Sequence, residues 1–188
     1  MLKDKDIREA LIESIKKKNN NHNFRIIEEM NVCDGKSRID VAVANGHLCG
    51  YEIKSDVDTL DRLQFQTTSY NKTFDRITIV IGSKFSDKIL DYIPDFWGVC
   101  VAKQNKNRIK LCYIRKAKYN TNVDSFSLLN LLWKNELFDM LYPLKIKGLS
   151  KMKKSELMNH VINNYSKTYI RDYTREILKT RDYWRDFA

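Results

Sequence analysis

The sequence contains no apolar run approaching the ~20 residues a membrane-crossing helix needs, and its opening, MLKDKDIREA, is too charged for an export signal. A cytoplasmic location with no membrane attachment is the expectation. Cysteine is sparse: the four, at positions 33, 49, 100 and 112, form neither a CxxC pair nor finger spacing. Three of them fall in apolar, strand-like segments, where a buried reduced thiol is ordinary, so a zinc site or iron-sulfur cluster is not expected. His22, His47 and His160 have no partner spacing for a metal or a triad. There is no internal repeat, no low-complexity tract and no recognisable helix-turn-helix, which ranks a transcription regulator working through its tail last among the function classes.

What is abundant is positive charge. The 188 residues fit one domain with at most a small appendage, and 34 Lys and Arg against 24 Asp and Glu leave a net +10. Residues 1–140 carry 23 basic and 19 acidic side chains, residues 141–188 carry 11 and 5, so the tail is the more basic part. A polyanion is the expected partner, with nucleic acid first among candidates.

Hydrophobic periodicity gives the element order. Residues 4–18 place Ile7, Leu11 and Ile15 on one helical face. FRIIEEMNV (24–32), RIDVAVAN (38–45) and HLCGYEIKS (47–55) read as strands, the last two around the turn signal Asn45-Gly46. Residues 57–73 read as a helix, RITIVIG (76–82) as a buried strand and KFSDKILDY as a short helix. WGVCVAKQ and RIKLCYIR form a hairpin around Asn105 to Asn107, and the chain beyond about 124 reads as helix. The order αβββαβαββ with a helical tail predicts an α/β (α+β) sandwich.

The strands at 38–55 carry Asp40, Glu52 and Lys54, charges that a strand pair tolerates only when they are paired, hold metal or do chemistry. By alternation, Ile39, Val41 and Val43 share one face and Asp40, Ala42 and Ala44 the other, while Glu52 and Lys54 lie with Leu48 and Gly50. A two-residue turn would pair residue 40 with 51 and separate the carboxylates. A three-residue loop, Asn45-Gly46-His47, pairs 40 with 52 and gathers the apolar side chains into one core face. In that register Asp40 and Glu52 repel unless a proton or a cation sits between them, and oxygen ligands suit Mg²⁺ or Mn²⁺, the expected occupant. The Ile53 backbone carbonyl is a further expected ligand. Lys54 is placed to orient water or offset charge on a phosphoryl transition state.

RID and EIK, with eleven residues between the carboxylates, resemble the PD-(D/E)XK nuclease superfamily, although Ile39 stands where that motif has proline. In the following helix, Gln66 and Tyr70 look like the QxxxY signature of several of its branches, with Arg62 one turn earlier. Residues 1–118 are similar to poorly characterised bacterial nuclease-like proteins sharing RIDVAV, GYEIKSD and the Gln and Tyr. The resemblance implies a restriction-endonuclease-like core with a central mixed sheet flanked by helices. It implies a Mg²⁺-dependent nuclease acting on DNA, with Asp40, Glu52, Lys54, Gln66 and Tyr70 catalytic and Asp40 and Glu52 on the metal. An additional acidic ligand is common in the superfamily; Glu9, Glu13, Glu28 and Glu29 compete, and Glu29, on the adjoining strand, is preferred. The alternative is a nuclease-fold protein that binds nucleic acid or a protein without cutting.

Residues 119–188 are read as a basic helical subdomain after the 1–118 core. LYPLKIKGLSKMKKSELMNHVINNY, with a Gly148 stop and a Ser150 cap, resembles a SAP-like helix-loop-helix, and a plain bundle packed on the core fits as well. Lys151, Lys153 and Lys154, with Arg62, are the expected phosphate contacts. The terminal TYIRDYTREILKTRDYWRDF suits a helix anchor better than a stacking platform.

Overall fold

The computed structural model describes residues 1–106 and 108–181. Asn107 and the aromatic-basic end of the terminal segment, residues 182–188, lie outside the described residues. The chain runs α1 (Asp4–Lys18), β1 (Arg25–Val32), β2 (Ser37–Ala44), β3 (Leu48–Lys54), α2 (Leu63–Thr73), β4 (Arg76–Ile81), β5 (Gly98–Asn105) and β6 (Arg108–Arg115). The helices α3 (Ser125–Asn130), α4 (Lys134–Leu141), α5 (Lys154–Asn164) and α6 (Lys167–Thr180) follow.

The six strands lie side by side in chain order. β3, β4 and β5 run parallel, and every other neighbouring pair is antiparallel, so the sheet is mixed and flanked by helices. Two apolar layers cover it. Ile7, Leu11 and Ile15 of α1 cluster with Val41, Val43, Ile53, Val80 and Cys100 on one face. On the other, α2 and the four C-terminal helices share one cluster with the sheet, running from Ile39, Ala42 and Leu48 through Tyr70, Phe74 and Ile79 to Leu137, Leu157 and Leu178.

The β2–β3 loop takes the three-residue form. Ala44 pairs with Leu48, the Asn45 N–H donates to the His47 carbonyl at 3.1 Å, and Gly46 sits at φ 96°, a conformation that favours glycine. Simple alternation fails in one place, however. Ile39 packs with Ala42 and Ala44, not with Val41 and Val43, so the phase of β2 slips at Asp40.

Three local expectations are corrected. The helix expected over 57–73 begins only at Leu63, because the Asp58 carboxylate accepts from the Ser55 N–H (2.8 Å) and Oγ–H (2.5 Å), a local turn that competes with helix. The short helix after β4 is two 3-10 turns, Ser83–Phe85 and Ile89–Tyr92. Ser150 does not cap a helix: it lies inside the 3-10 turn Leu149–Lys151. α5 instead starts after Lys153, whose N–H is held by Glu156 at 2.6 Å.

One buried acid ties the C-terminal helices to the sheet. Asp75, 2% exposed at the head of β4, accepts from the Leu48 N–H (2.6 Å), Arg171 (2.8 Å) and Arg175 (2.7 and 2.9 Å). Burial pushes its carboxyl up, but the hydrogen bonds from Arg175, Arg171 and Leu48 outweigh that and hold it below the usual range.

Candidate active site

β2 and β3 pair from Ala44↔Leu48 to Val41↔Tyr51 and then part. Residues 49–54 of β3 continue alongside β4, so beyond Tyr51 the β2 side of β3 must find other hydrogen-bond partners. Asp40 supplies one: its Oδ2 accepts from the Ile53 N–H at 2.6 Å, replacing a ladder bond with a side-chain bond. Its backbone carbonyl and Oδ1 accept from the Arg8 guanidinium at 2.8 and 3.0 Å. The aspartate expected at the head of the motif therefore stands in the fork where two strands separate, across which the 41↔51 register sets residue 40 opposite 52.

Glu52 is 2% exposed and fully dressed by protein donors. Oε1 accepts from Lys54 Nζ and Gln66 Nε2, each at 2.7 Å, and Oε2 lies 2.7 Å from the Tyr70 hydroxyl. That hydroxyl is also 2.7 Å from the Arg38 carbonyl and accepts from Gln66 at 3.1 Å. Burial, reinforced by the Glu52 carboxylate, raises the Tyr70 pKa, so the phenol stays protonated and donates. Lys54, 7% exposed, faces Glu52 rather than water, its Nζ 2.7 Å from Oε1. Glu52, Lys54, Gln66 and Tyr70 are thus one hydrogen-bonded unit spanning the strand β3 and the helix α2 that packs on the sheet.

Glu29, the preferred extra acid, stands opposite Asp40, between the pairs Glu28↔Val41 and Met30↔Ile39, with a left-handed backbone (φ 53°) that is strained for a side chain of its size. Its carboxylate is engaged by Arg8 (2.7 Å) and Arg38 (2.7 Å). Glu9 forms a solvent-exposed pair with Lys5, and Glu13 one with Lys17.

Arg8 was not a sequence-level candidate, yet it touches Asp4, Glu29 and Asp40. The one available signal was the Asp4–Arg8 spacing of four beside the buried Ile7–Leu11–Ile15 stripe, a pattern that ordinary surface ion pairs share. Arg38, in β2, has no spacing signal of that kind: its partner Glu29 lies on the neighbouring strand.

Asp40 is electrostatically uncomfortable. Burial, and next the Glu52 carboxylate, push its carboxyl up to about 7 against the pull of the Ile53 N–H and Arg8. A folded-state pKa raised above its unfolded value of about 3.9 means that the native state holds the proton longer, so stability falls as pH rises from about 4 to about 7. Urea denaturation of the metal-free protein should show that decline, and Asp40→Asn should flatten it. A wild-type profile that is level across this window contradicts the assignment.

The expected phosphate contacts divide. Arg62, Lys151 and Lys153 are exposed, whereas Lys154 donates to the Asn130 carbonyl at 2.9 Å and is half-buried, its pKa lowered by that burial. It lines a cavity of about 790 Å³, shared with Glu29, Arg38, Met30 and Trp133, so the exposed lysine triplet reduces to a pair.

A solved structure, that of Pyrococcus furiosus SfsA in complex with Ca²⁺, overlaps 61% of this chain and 64% of its own at 17% identity and a TM-score of 0.36. The protein cII of Enterobacteria phage P4 is 34% identical over 141 residues, which is 75% of this chain and 53% of that protein. The chain thus spans about half the length of that curated relative. The matching family model is named for that phage protein and not for a nuclease. It covers residues 1–187, and the chain belongs to the bacteriophage P4 protein cII family.

Proposed function

We propose that this chain is a divalent-metal-dependent nuclease of the PD-(D/E)XK type that hydrolyses phosphodiester bonds in DNA. The observation carrying the proposal is the fork between β2 and β3, where Asp40 and the unit Glu52–Lys54–Gln66–Tyr70 meet.

The donor set suits a hard cation. Counting lone pairs, Glu52 Oε2 and both Asp40 oxygens retain acceptor capacity after their protein bonds are made, and Gln66 Oε1 is buried with no partner among the described residues. No group of three His, Cys, Asp or Glu side chains placed to hold a metal exists among the described residues. Mg²⁺ takes one or two carboxylates and fills its shell with water and phosphate oxygens. Asp40, Glu52 and the Ile53 carbonyl would hold the ion, with Glu29 joining only if it exchanges Arg8 and Arg38 for it. The bound cation would supply Lewis acidity and a water more easily deprotonated. Lys54 holds and orients Glu52 and presents an ammonium to a phosphate oxygen. Gln66 and Tyr70 fix the carboxylate's rotamer.

One observation favours the non-cutting alternative. Both Glu52 oxygens already have protein donors, and Arg8 already supplies Asp40 and Glu29 with positive charge. A nuclease-fold protein that only binds would look like this if Arg8 never moved.

Lys54→Met separates the two. It keeps the apolar stem and leaves Gln66 and Tyr70 on Glu52. Cleavage of plasmid and linear duplex DNA should drop by at least ~10²-fold, while Mn²⁺ affinity by titration calorimetry should change less than tenfold. Undiminished cutting, or metal binding lost with the lysine, overturns the role given to Lys54. A wild-type protein that neither binds Mn²⁺ nor cuts supports the alternative.

A further inference from the structure

The basic excess of the tail is only part of the charge pattern. Residues 96–123 contain seven Lys and Arg and no acidic side chain, and they fold as the β5–β6 hairpin and its exit. Within it Lys103 pairs directly with Lys110, and Asn105 with Arg108. Like charges set opposite each other across a ladder are destabilising by themselves. Lys103, Lys106, Arg108 and Lys110 are all exposed, and none forms an ion pair among the described residues.

Topology puts these cations where the proposed site can use them. β3, β4 and β5 are parallel and in line, Lys54 beside Ile81 and Ile81 beside Val101. Lys103 therefore projects two residues past the row that ends in Lys54, at the same end of the sheet. It also lies on the same face, since Ile79, Ile81, Val99 and Val101 all pack with the α2 layer and Lys103 follows Val101 by two. Lys110 shares that face by pairing, whereas Arg108, beside the turn, lies close enough to Glu13 of α1 to help lower its carboxyl pKa. Between the two places, the β4–β5 connection exposes Lys84 and Lys88, whose ammonium groups flank the Phe85 ring at 4.9 and 5.5 Å, along with Asp87 and Asp91.

We propose that the tip of the β5–β6 hairpin, through Lys103 and Lys110, is a phosphate-contacting arm that holds DNA running away from the Asp40–Glu52 fork. At about 4.8 Å per strand, β6 stands roughly 14 Å from β3, or about four steps of one DNA strand at 3.4 Å per charge. The arm thus contacts the duplex a few phosphates from the point of chemistry and gives register without reading sequence. Acidic lipid would meet the same charges, but a membrane surface has no use for alignment with the fork. The inference deepens the nuclease proposal and rests on it for the position of the DNA.

The test is binding in EDTA, where no cutting intervenes, by fluorescence anisotropy of a labelled 20-base-pair duplex over a range of KCl concentrations. Lys103→Ala/Lys110→Ala in the full chain should weaken binding about tenfold and reduce the slope of log affinity against log salt by about 2. Lys116→Ala/Lys118→Ala makes the same charge change at the opposite end of β6 and should shift the slope by less than about 0.5. Equal losses in the two variants, or none in the first, overturn the arm. So does loss of binding to vesicles containing phosphatidylserine with DNA affinity unchanged. A wild-type protein that cuts with no metal, or never cuts, removes the nuclease proposal while leaving a hairpin-specific loss of DNA binding in force.

Discussion

Asp40→Asn is expected to yield a protein that folds and no longer cuts DNA. The amide oxygen can still accept from the Ile53 N–H, and Arg8 keeps the Asp40 carbonyl and Glu29. What disappears is the negative charge facing Glu52. Cleavage in Mg²⁺ should fall by on the order of 10³-fold, with the affinity for Mn²⁺ reduced in parallel. Thermal stability without metal at pH 8 should hold or rise, because burial and the Glu52 charge already disfavour the ionised aspartate there. The pairing of lost activity with undiminished stability is the informative result. Wild-type cleavage by the variant would place the chemistry elsewhere.

The second large effect belongs to Asp75. Asp75→Ala leaves the Leu48 N–H without its acceptor and two guanidiniums, each 12% exposed, without their main counter-charge. Breaking a buried pair from one side costs about 3–5 kcal/mol, to be read as a lower midpoint in urea at pH 7. The pH dependence has the opposite sign to that of Asp40. A depressed carboxyl contributes stability that is present above about pH 4, the unfolded value, and is lost as pH falls through the folded one. Wild type should therefore lose stability steeply below about pH 4, and the variant should lack that component. A midpoint within about 1 kcal/mol of wild type would show that the helices are held by their apolar contacts alone.

These side chains differ in how far the sequence announced them. The sheet was legible because its signals are local: Asn45-Gly46 with His47 gave the loop, and the loop gave the register that brings residue 40 opposite 52. Glu52 and Lys54 stood out as charges two apart in a strand, and Gln66 and Tyr70, four apart in one helix, were marked by the resemblance to the nuclease superfamily. What escaped was non-local. The phase slip at Asp40 depends on where β3 leaves β2, Arg8 reaches Asp40 from 32 positions away, and the left-handed backbone of Glu29 has no marker in its residue type. Lys154 looked like its neighbours Lys151 and Lys153 until the end of α3 was found beside it. The helix start at Leu63 was misjudged because the Ser55–Asp58 turn holds a segment whose composition alone suits a helix.

The strict chain order of the six strands sets a timetable for synthesis. Each strand pairs with the one made just before it, so the sheet and the fork can assemble as the chain emerges, through contacts of short separation. Asp75 is an exception: Arg175 lies 100 positions downstream, or about 5–20 s later at ordinary elongation rates. During that interval the nascent protein carries an unneutralised carboxylate at the head of β4 and an uncovered apolar face from Ile39 to Trp97. α6, the helix that carries Arg171 and Arg175, is the one that closes it.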